Sequence, residues 1–131
     1  MTSNAYLKSA IETATPEQLI LALYDGGLAA VERAREALAA GGSHDREVAH
    51  RELVRAQSIV LELRLALDLE RGGEIARSLA SLYAFCFERL LEANLRKDPA
   101  GLEAVARTFS ELRDAWAQAV VHGRQAAAQA G

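Results

Sequence analysis

The residues with the clearest potential for chemistry are Glu47 and His50, which form an E-x-x-H motif. On a helix this spacing places both side chains on one face, and ferritin-like bundles use two such motifs plus two further glutamates to hold a pair of metal ions. The other histidines, His44 and His122, have no glutamate three residues before them. We therefore interpret Glu47 and His50 as part of a solvated helix face, and we predict no metal and no other cofactor.

Nucleophilic and phosphate-binding chemistry is not indicated either. Cys86 is the only cysteine, so no internal disulfide can form, and it lies on the apolar face of a predicted helix, where a buried and inert thiol is expected. The glycine pair at 72–73 is too short for a phosphate-binding loop, and no G-x-S-x-G string occurs. The sequence offers no active site, and we predict that the protein is not an enzyme.

The composition is that of a globular protein without a nucleic-acid or membrane signature. Of the 131 residues, 50% are apolar and 25% are charged, and the formal net charge is -3. Nucleic-acid-binding proteins carry a basic stripe, and the negative net charge of this chain argues against such a stripe. No apolar run approaches the roughly 20 residues of a membrane span, and the N-terminus lacks the features of a signal peptide. We expect a cytoplasmic protein with no membrane insertion.

Sequence signals for helix starts and ends divide the chain into four long segments. Any functional surface must lie on these segments. Thr15-Pro16-Glu17-Gln18 combines a cap, a proline at the first helical position and a capping-box glutamine. Glycine pairs at 41–42 and 72–73 are breaks, and Asp98-Pro99 repeats the cap-then-proline signal. The first predicted helix begins at Pro16 and ends at Gly41. Ser43 or Asp45 is the predicted N-cap of the second helix, which ends near Leu69. The third helix begins at Glu74, and the fourth opens at Asp98-Pro99 and ends near Val120.

Segments of similar length joined by short connections must run antiparallel to their neighbours. The predicted fold class is therefore all-α, an antiparallel up-down-up-down four-helix bundle in a single domain, residues 1–131. Residues 1–14 form a leader that can fold back as a short N-terminal cap helix. Residues 122–131 lack an apolar stripe, so we expect this tail to fray.

Apolar periodicity predicts the core. In the fourth segment a narrow stripe recurs at spacings of three and four, formed by Leu102, Val105, Phe109, Leu112, Trp116 and Val120. Within the first segment Gly26 and Gly27 each cost about 1 kcal/mol relative to alanine in a helix interior. The pair predicts the close approach of another backbone, with a local irregularity as the alternative.

The second and third segments carry more apolar surface than a bundle core needs. Beside its core face, the second segment has a further stripe of Val54, Leu61, Leu65 and Leu69, and Phe85 stands outside the apolar arc of the third segment. One interpretation is that a wide arc packs against two neighbouring helices. The other is that the second stripe and Phe85 line a groove for an amphipathic helix from a partner. A third is that the leader residues Tyr6, Leu7 and Ile11 cover part of this surface.

Several strings in chain order resemble the flagellar secretion chaperone FliS family. They are Ala5-Tyr6 followed by Ile11, TATPEQLILALYDGGL at 13–28, LDLERGGEIARSLASLYAF at 67–85, ANLRKD at 93–98 and the late Trp116. The resemblance implies an antiparallel helical bundle with a short N-terminal cap helix. It also implies a cytoplasmic chaperone that binds the C-terminal region of flagellin, prevents premature polymerisation and supports delivery to the flagellar type III export apparatus.

Position by position, Tyr6 matches the family's N-terminal tyrosine, which is implicated in the cap and in binding, and Tyr24 belongs to the matching LYDG string. Ala84 stands where an aspartate is usual, and Gly27 where alanine is common. From the stripe and the resemblance together, the expected partner-binding residues are Tyr6, Leu7, Ile11, Tyr24, Val54, Leu61, Leu65 and Phe85.

Rival functions remain open from sequence alone. They are a bundle enzyme or metalloprotein, an oligomer that pairs with itself through the surplus apolar surface, and an adaptor for other flagellar or export proteins. No nucleic-acid partner is expected.

Overall fold

The computed structural model describes residues 15–130, and this part of the chain contains four α-helices and no strand. The helices are α1 (Pro16–Ala40), α2 (Ser43–Leu65), α3 (Gly73–Arg96) and α4 (Leu102–Ala130). The predicted all-α fold class is thereby confirmed. The predicted cap helix in residues 1–14 lies outside the described residues.

The start and the end of α1 follow the predicted signals. The Thr15 hydroxyl accepts a hydrogen bond from the Gln18 backbone N–H at 3.2 Å, and the Gln18 side chain accepts one from the Thr15 N–H at 3.0 Å. This reciprocal pair satisfies two backbone donors that the first turn would otherwise leave unpaired. The helix ends at Gly41, whose φ of 75° lies in the left-handed region that glycine adopts without a steric penalty.

The start and the end of α2 differ from the prediction. Gly42, not Ser43 or Asp45, is the residue at the N-cap, and the Asp45 carboxylate accepts a hydrogen bond from the Gly42 N–H at 3.1 Å. The helix ends at Leu65, four residues before the predicted end near Leu69. Asp68 explains the early end, because its side chain accepts from the Arg71 N–H at 3.1 Å and its carbonyl accepts from the Gly72 N–H at 2.8 Å. Such local bonds favour a turn over a helix.

At its far end α4 continues to Ala130, beyond the predicted end near Val120. Its last ten residues, 121–130, are all exposed. Alanine has the highest helix propensity, so this segment can be helical without packing against the bundle. The expectation that the tail frays concerns its motion and stays a prediction.

Contacts between neighbouring helices pair early residues of one with late residues of the other, as antiparallel packing requires. Between α1 and α2, Arg33 forms an ion pair with Glu52 at 3.2 Å, and Gly27 lies against Ile59. Between α1 and α4, the Trp116 indole N–H donates to the Glu17 carbonyl at 2.9 Å. The packed pairs are α1–α2, α2–α3, α3–α4 and α4–α1, so α1 and α3 are diagonal to each other.

The core contains most of the residues that helical periodicity selects, but Val120 of the predicted α4 stripe is not among them. On α4, Leu102, Val105 and Phe109 are fully buried, and Leu112 and Trp116 pack against the core while partly exposed. The α2 and α3 contributions include Leu53, Ala56, Val60, Leu63, Tyr83, Cys86 and Leu90.

The glycine pair of α1 lies against side chains, so the predicted close approach of a backbone is wrong. A Cβ at Gly27 would lie 3.1 Å from the Phe109 ring and 3.3 Å from the Ile59 side chain. At Gly26 the nearest such atom is an Ile59 methyl at 3.4 Å. Gly27 therefore makes room for a large aromatic ring in the core.

Candidate functional site

Exposed apolar side chains are concentrated on α2 and α3. On α2 the stripe residues Val54, Leu61 and Leu65 are 42%, 51% and 79% exposed. On α3 the exposed apolar residues are Ile75, Leu82, Phe85, Leu91 and Leu95. The predicted stripe is therefore a surface feature and not a second core face, although its last member, Leu69, lies after the end of α2.

A groove of about 270 Å³ runs between α2 and α3, and we call it the α2–α3 groove. Leu61 and Arg64 form its α2 wall, and Ala80, Ala84, Phe87 and Glu88 form its α3 wall. The floor is made by Val60 and Tyr83, which are buried at 2% and 3% exposure. The groove is thus mainly apolar, with one basic and one acidic side chain among its lining residues.

The apolar surface continues along the helix pair beyond the groove. His50 contacts Asn94 at one end of the pair, and Leu61 faces Ala84 further along. The antiparallel register between these contacts places Val54 at the level of Leu91. From Val54 to Leu65 the α2 stripe covers 11 steps of about 1.5 Å, or about three helical turns. This length suits a short amphipathic helix with anchors at helical spacing.

Small residues on α3 open the groove. Ala80 and Ala84 are four residues apart, so they share one face of the helix and leave space opposite Leu61. Phe87 is half-buried beside them and closes one part of the wall. In the sequence, these groove residues could have been found from two alanines four positions apart. The pair does not stand out because large apolar residues surround it in the wide apolar arc of α3.

Tyr24 does not line the exposed surface. It is 3% exposed, and its hydroxyl lies 2.6 Å from the Tyr83 hydroxyl in the centre of the bundle. Burial raises the pKa of both phenols above the usual value of 10.0, so both hydroxyls are neutral. The expectation that Tyr24 contacts a partner directly therefore needs correction, because the folded surface does not present its side chain.

Phe85 lies on a different side of α3 from the α2–α3 groove, and the expectation of a single groove shared with Leu61 is wrong. The Phe85 ring is 41% exposed, and the Arg89 guanidinium stands 5.6 Å above its centroid. Arg89 also lies beside Gly101, just before α4. The helical step of about 100° between Ala84 and Phe85 turns the phenylalanine towards α4.

The remaining expected residues divide into two groups. Leu61 lines the groove, and Val54 and Leu65 extend its apolar surface along α2. Tyr6, Leu7 and Ile11 lie outside the described residues. Arg64 and Glu88 also line the groove, but they were not predicted from the sequence, because charged residues on a helix usually face solvent.

A second depression lies where α1 begins, with a volume of about 450 Å³. Leu19, Ile20 and Leu23 of α1 line it together with Ala66 and Trp116. It borders the position at which residues 1–14 join α1, and it lies next to the end of α2.

Asp25, in the LYDG string, links α1 to α4 through an ion pair with Arg113. Its carboxylate accepts a hydrogen bond from the Arg113 guanidinium, which raises the pKa of Arg113 further above its usual value. Both side chains are partly exposed. The string therefore contributes to the bundle through both of its polar members, Tyr24 in the core and Asp25 at the surface.

Of the side chains with potential for chemistry, Cys86 is buried and His50 is exposed at the surface. Burial raises the pKa of the Cys86 thiol to about 11, so the thiolate that reacts is scarce at neutral pH. His50 contacts Asn94 through its Nδ1 atom. Residues 15–130 contain no group of three or more His, Cys, Asp or Glu residues placed to hold a metal ion. In the same range no helix is long and apolar enough to cross a membrane.

Comparison with known proteins adds an independent line of information. A family model described as "Flagellar protein FliS" matches residues 1–123. The flagellar secretion chaperone FliS of Salmonella typhimurium is 41% identical over 113 residues, which cover 86% of this chain and 82% of that protein. The flagellar secretion chaperone FliS of Bacillus subtilis is 34% identical over 121 residues, covering 92% and 87%. Flagellar secretion chaperone FliSB of Pseudomonas aeruginosa is 34% identical over 110 residues, covering 84% and 85%.

Proposed function

This chain belongs to the FliS family of flagellar proteins, and from that membership we propose that it is a flagellar export chaperone for flagellin. In this proposal it binds the C-terminal region of newly made flagellin in the cytoplasm. Binding prevents premature polymerisation and supports delivery of the subunit to the flagellar type III export apparatus. The protein acts by binding alone and not as an enzyme.

The observation that carries the proposal is the apolar α2–α3 groove on the surface of a bundle whose core is already complete. Leu61 is 51% exposed beside the groove, although it is only two residues from the fully buried Leu63. Together with the exposed Val54 and Leu65 on the same helix, Leu61 forms a run of apolar side chains at the surface, and contiguous apolar patches are typical of interaction sites. A flagellin segment that forms an amphipathic helix can cover this surface.

The free energy of binding comes from apolar anchors and is reduced by ordering of the client. Burying one leucine-sized side chain contributes roughly 1.5 to 3 kcal/mol, so three anchors over three turns contribute roughly 5 to 9 kcal/mol before costs. Ordering a disordered segment on binding costs about 2 to 5 kcal/mol of this. Sequestration then follows from mass action, because bound flagellin is withdrawn from assembly without any nucleotide.

In this proposal the N-terminal leader, residues 1–14, competes with flagellin for apolar surface. Tyr6, Leu7 and Ile11 cover apolar surface in the free protein and yield to flagellin. The depression lined by Leu19, Leu23 and Trp116 borders the start of α1 and the end of α2.

Calorimetric titration of the purified protein with a peptide of the flagellin C-terminal region tests the proposal. In the Leu61→Asp variant we expect an affinity at least about tenfold lower, because an apolar contact is lost and a charge is placed against the client. Val121→Asp is the matched control, since Val121 is also 51% exposed but lies on the last part of α4. It should bind like the unmodified protein.

Two results would refute the proposal. Failure of the unmodified protein to bind the peptide would remove flagellin's C-terminal region as the client. Equal binding by Leu61→Asp and Val121→Asp would remove the α2–α3 groove as the site. Tight binding of another flagellar protein, with none of flagellin, would instead favour the adaptor function.

A further inference from the structure

The Tyr24–Tyr83 pair links the two diagonal helices of the bundle. Tyr24 lies on α1 and Tyr83 on α3, and their hydroxyl oxygens are 2.6 Å apart. Each residue is only 3% exposed. Because α1 and α3 are not neighbours, this hydrogen bond passes through the middle of the core rather than along an interface.

Tyr83 belongs both to the core and to the α2–α3 groove. Its side chain forms part of the groove floor beside Val60, while its hydroxyl is bonded to Tyr24, which does not line the groove. The polar end of the side chain is therefore held inside the bundle. What Tyr83 contributes to the groove is apolar ring surface.

A buried hydroxyl without a partner is costly, so it turns towards water where it can. In the described part of the chain, Tyr24 supplies the partner of the Tyr83 hydroxyl. Without that partner, the groove that Tyr83 itself lines would give its hydroxyl a route to solvent. A hydroxyl turned into the groove would make its floor polar and wet. A client side chain entering there would have to displace that water or leave the hydroxyl unpaired.

We propose that Tyr24 is a positioning residue for client binding: by holding the Tyr83 hydroxyl in the core, it keeps the floor of the α2–α3 groove apolar. The inference rests on the proposed function, because it takes the groove as the client's site. It gives Tyr24 an indirect part in recognition, through Tyr83, in place of the direct contact expected from sequence. The charged groups at this groove, Arg64 and Glu88, lie on its walls and leave the floor to Tyr83 and Val60.

The affinities of two single variants and one double variant for the flagellin C-terminal peptide test this role. Tyr24→Phe should weaken binding about two- to tenfold, the range that corresponds to one hydrogen bond. Tyr83→Phe alone measures what the Tyr83 hydroxyl contributes to binding at the groove. In the Tyr83→Phe background, Tyr24→Phe should cause no further loss of affinity, because no hydroxyl remains to enter the groove, so the double variant should bind more tightly than Tyr24→Phe alone. This non-additive result is one that a general loss of packing would not produce.

Val31→Ala serves as the control for reduced stability alone. Val31 is fully buried on α1 and is not part of the groove lining, so its truncation should lower the melting temperature without a loss of affinity. Unchanged affinity in Tyr24→Phe would overturn the inference. So would a double variant as weak as Tyr24→Phe, or an equal loss of affinity in Val31→Ala.

The Leu61→Asp variant separates this inference from the proposed function. If Leu61→Asp loses binding while Tyr24→Phe does not, the groove remains the client site and only the positioning role of Tyr24 is refuted. If Leu61→Asp retains full affinity, the groove is not the site, and both proposals are overturned together.

Discussion

Substituting the two adjacent glycines of α1 by alanine should change stability in opposite directions. Gly26→Ala gains helix propensity, worth about 1 kcal/mol in a helix interior. Its new Cβ would lie 3.4 Å from a methyl group at the end of the Ile59 side chain, which is an ordinary contact. We therefore expect Gly26→Ala to raise the free energy of unfolding by about 0.5 to 1 kcal/mol.

Gly27→Ala gains the same helix propensity, but its Cβ meets two core side chains. The nearest atoms would be a Phe109 ring carbon at 3.1 Å and an Ile59 carbon at 3.3 Å. Phe109 is fully buried, so its ring cannot move away without disturbing Val105 or other core neighbours. Overpacking of this kind costs about 1 to 3 kcal/mol, so against the gain of about 1 kcal/mol the net result is a loss of up to about 2 kcal/mol.

Thermal unfolding followed by circular dichroism measures both effects. For a domain of this size, 1 kcal/mol corresponds to a shift in melting temperature of about 3 to 5 °C. We expect Gly26→Ala to melt a few degrees above the unmodified protein and Gly27→Ala to melt below it. If Gly27→Ala is stabilised as much as Gly26→Ala, the contact with the Phe109 ring is not the reason for the glycine.

The other predictions concern the core, the thiol and the leader. Leu63 is 1% exposed and Leu61 is 51% exposed, so Leu63→Asp should unfold the protein, whereas Leu61→Asp should leave it folded with a cooperative melting transition. Circular dichroism measures both; similar melting of the two variants would mean that the stripe belongs to the core. At pH 9 iodoacetamide should alkylate Cys86 much more slowly in the folded protein than in urea-unfolded protein, because burial both shields the thiol and raises its pKa; equal rates in both states would contradict the burial. Since folding raises the pKa of this thiol from 9.0 to about 11, its contribution to stability is complete below pH 9 and is lost between pH 9 and 11. Deletion of residues 1–12 should raise flagellin affinity in calorimetry, because the client no longer displaces the leader; an unchanged affinity would show that the leader is neither cap nor contact.

The helices could be predicted from local signals. The capping box at Thr15 and Gln18 and the left-handed glycine at Gly41 act through bonds within a few residues, so sequence alone reveals them. The second helix was predicted too long because Leu67 and Leu69 continue the apolar pattern. There, the turn bonds of Asp68 override that pattern.

The groove could be predicted only in part. The surplus stripe on α2 followed from helical spacing, but which neighbour stands opposite Leu61 depends on the register of α2 against α3. Phe85 was correctly placed outside the apolar arc of α3, but the expectation that it shares a groove with the α2 stripe did not take into account that it faces a different side of the helix from Ala84. Tyr24 was expected to contact a partner because it belongs to a string that resembles a family motif. Such a resemblance does not show which residues of the motif are buried. The pairing of Tyr24 with Tyr83, 59 residues away in sequence, is a tertiary feature.

Binding of flagellin in the α2–α3 groove can be tested most directly by nuclear magnetic resonance. Backbone amide shifts of the isotope-labelled protein would be followed while the flagellin C-terminal peptide is added. We predict the largest shifts at Leu61, Arg64, Ala84 and Phe87, with little change at Val121 on α4. Shifts confined to other faces of the bundle, with the amides of the α2–α3 groove unchanged at saturation, would contradict this binding site.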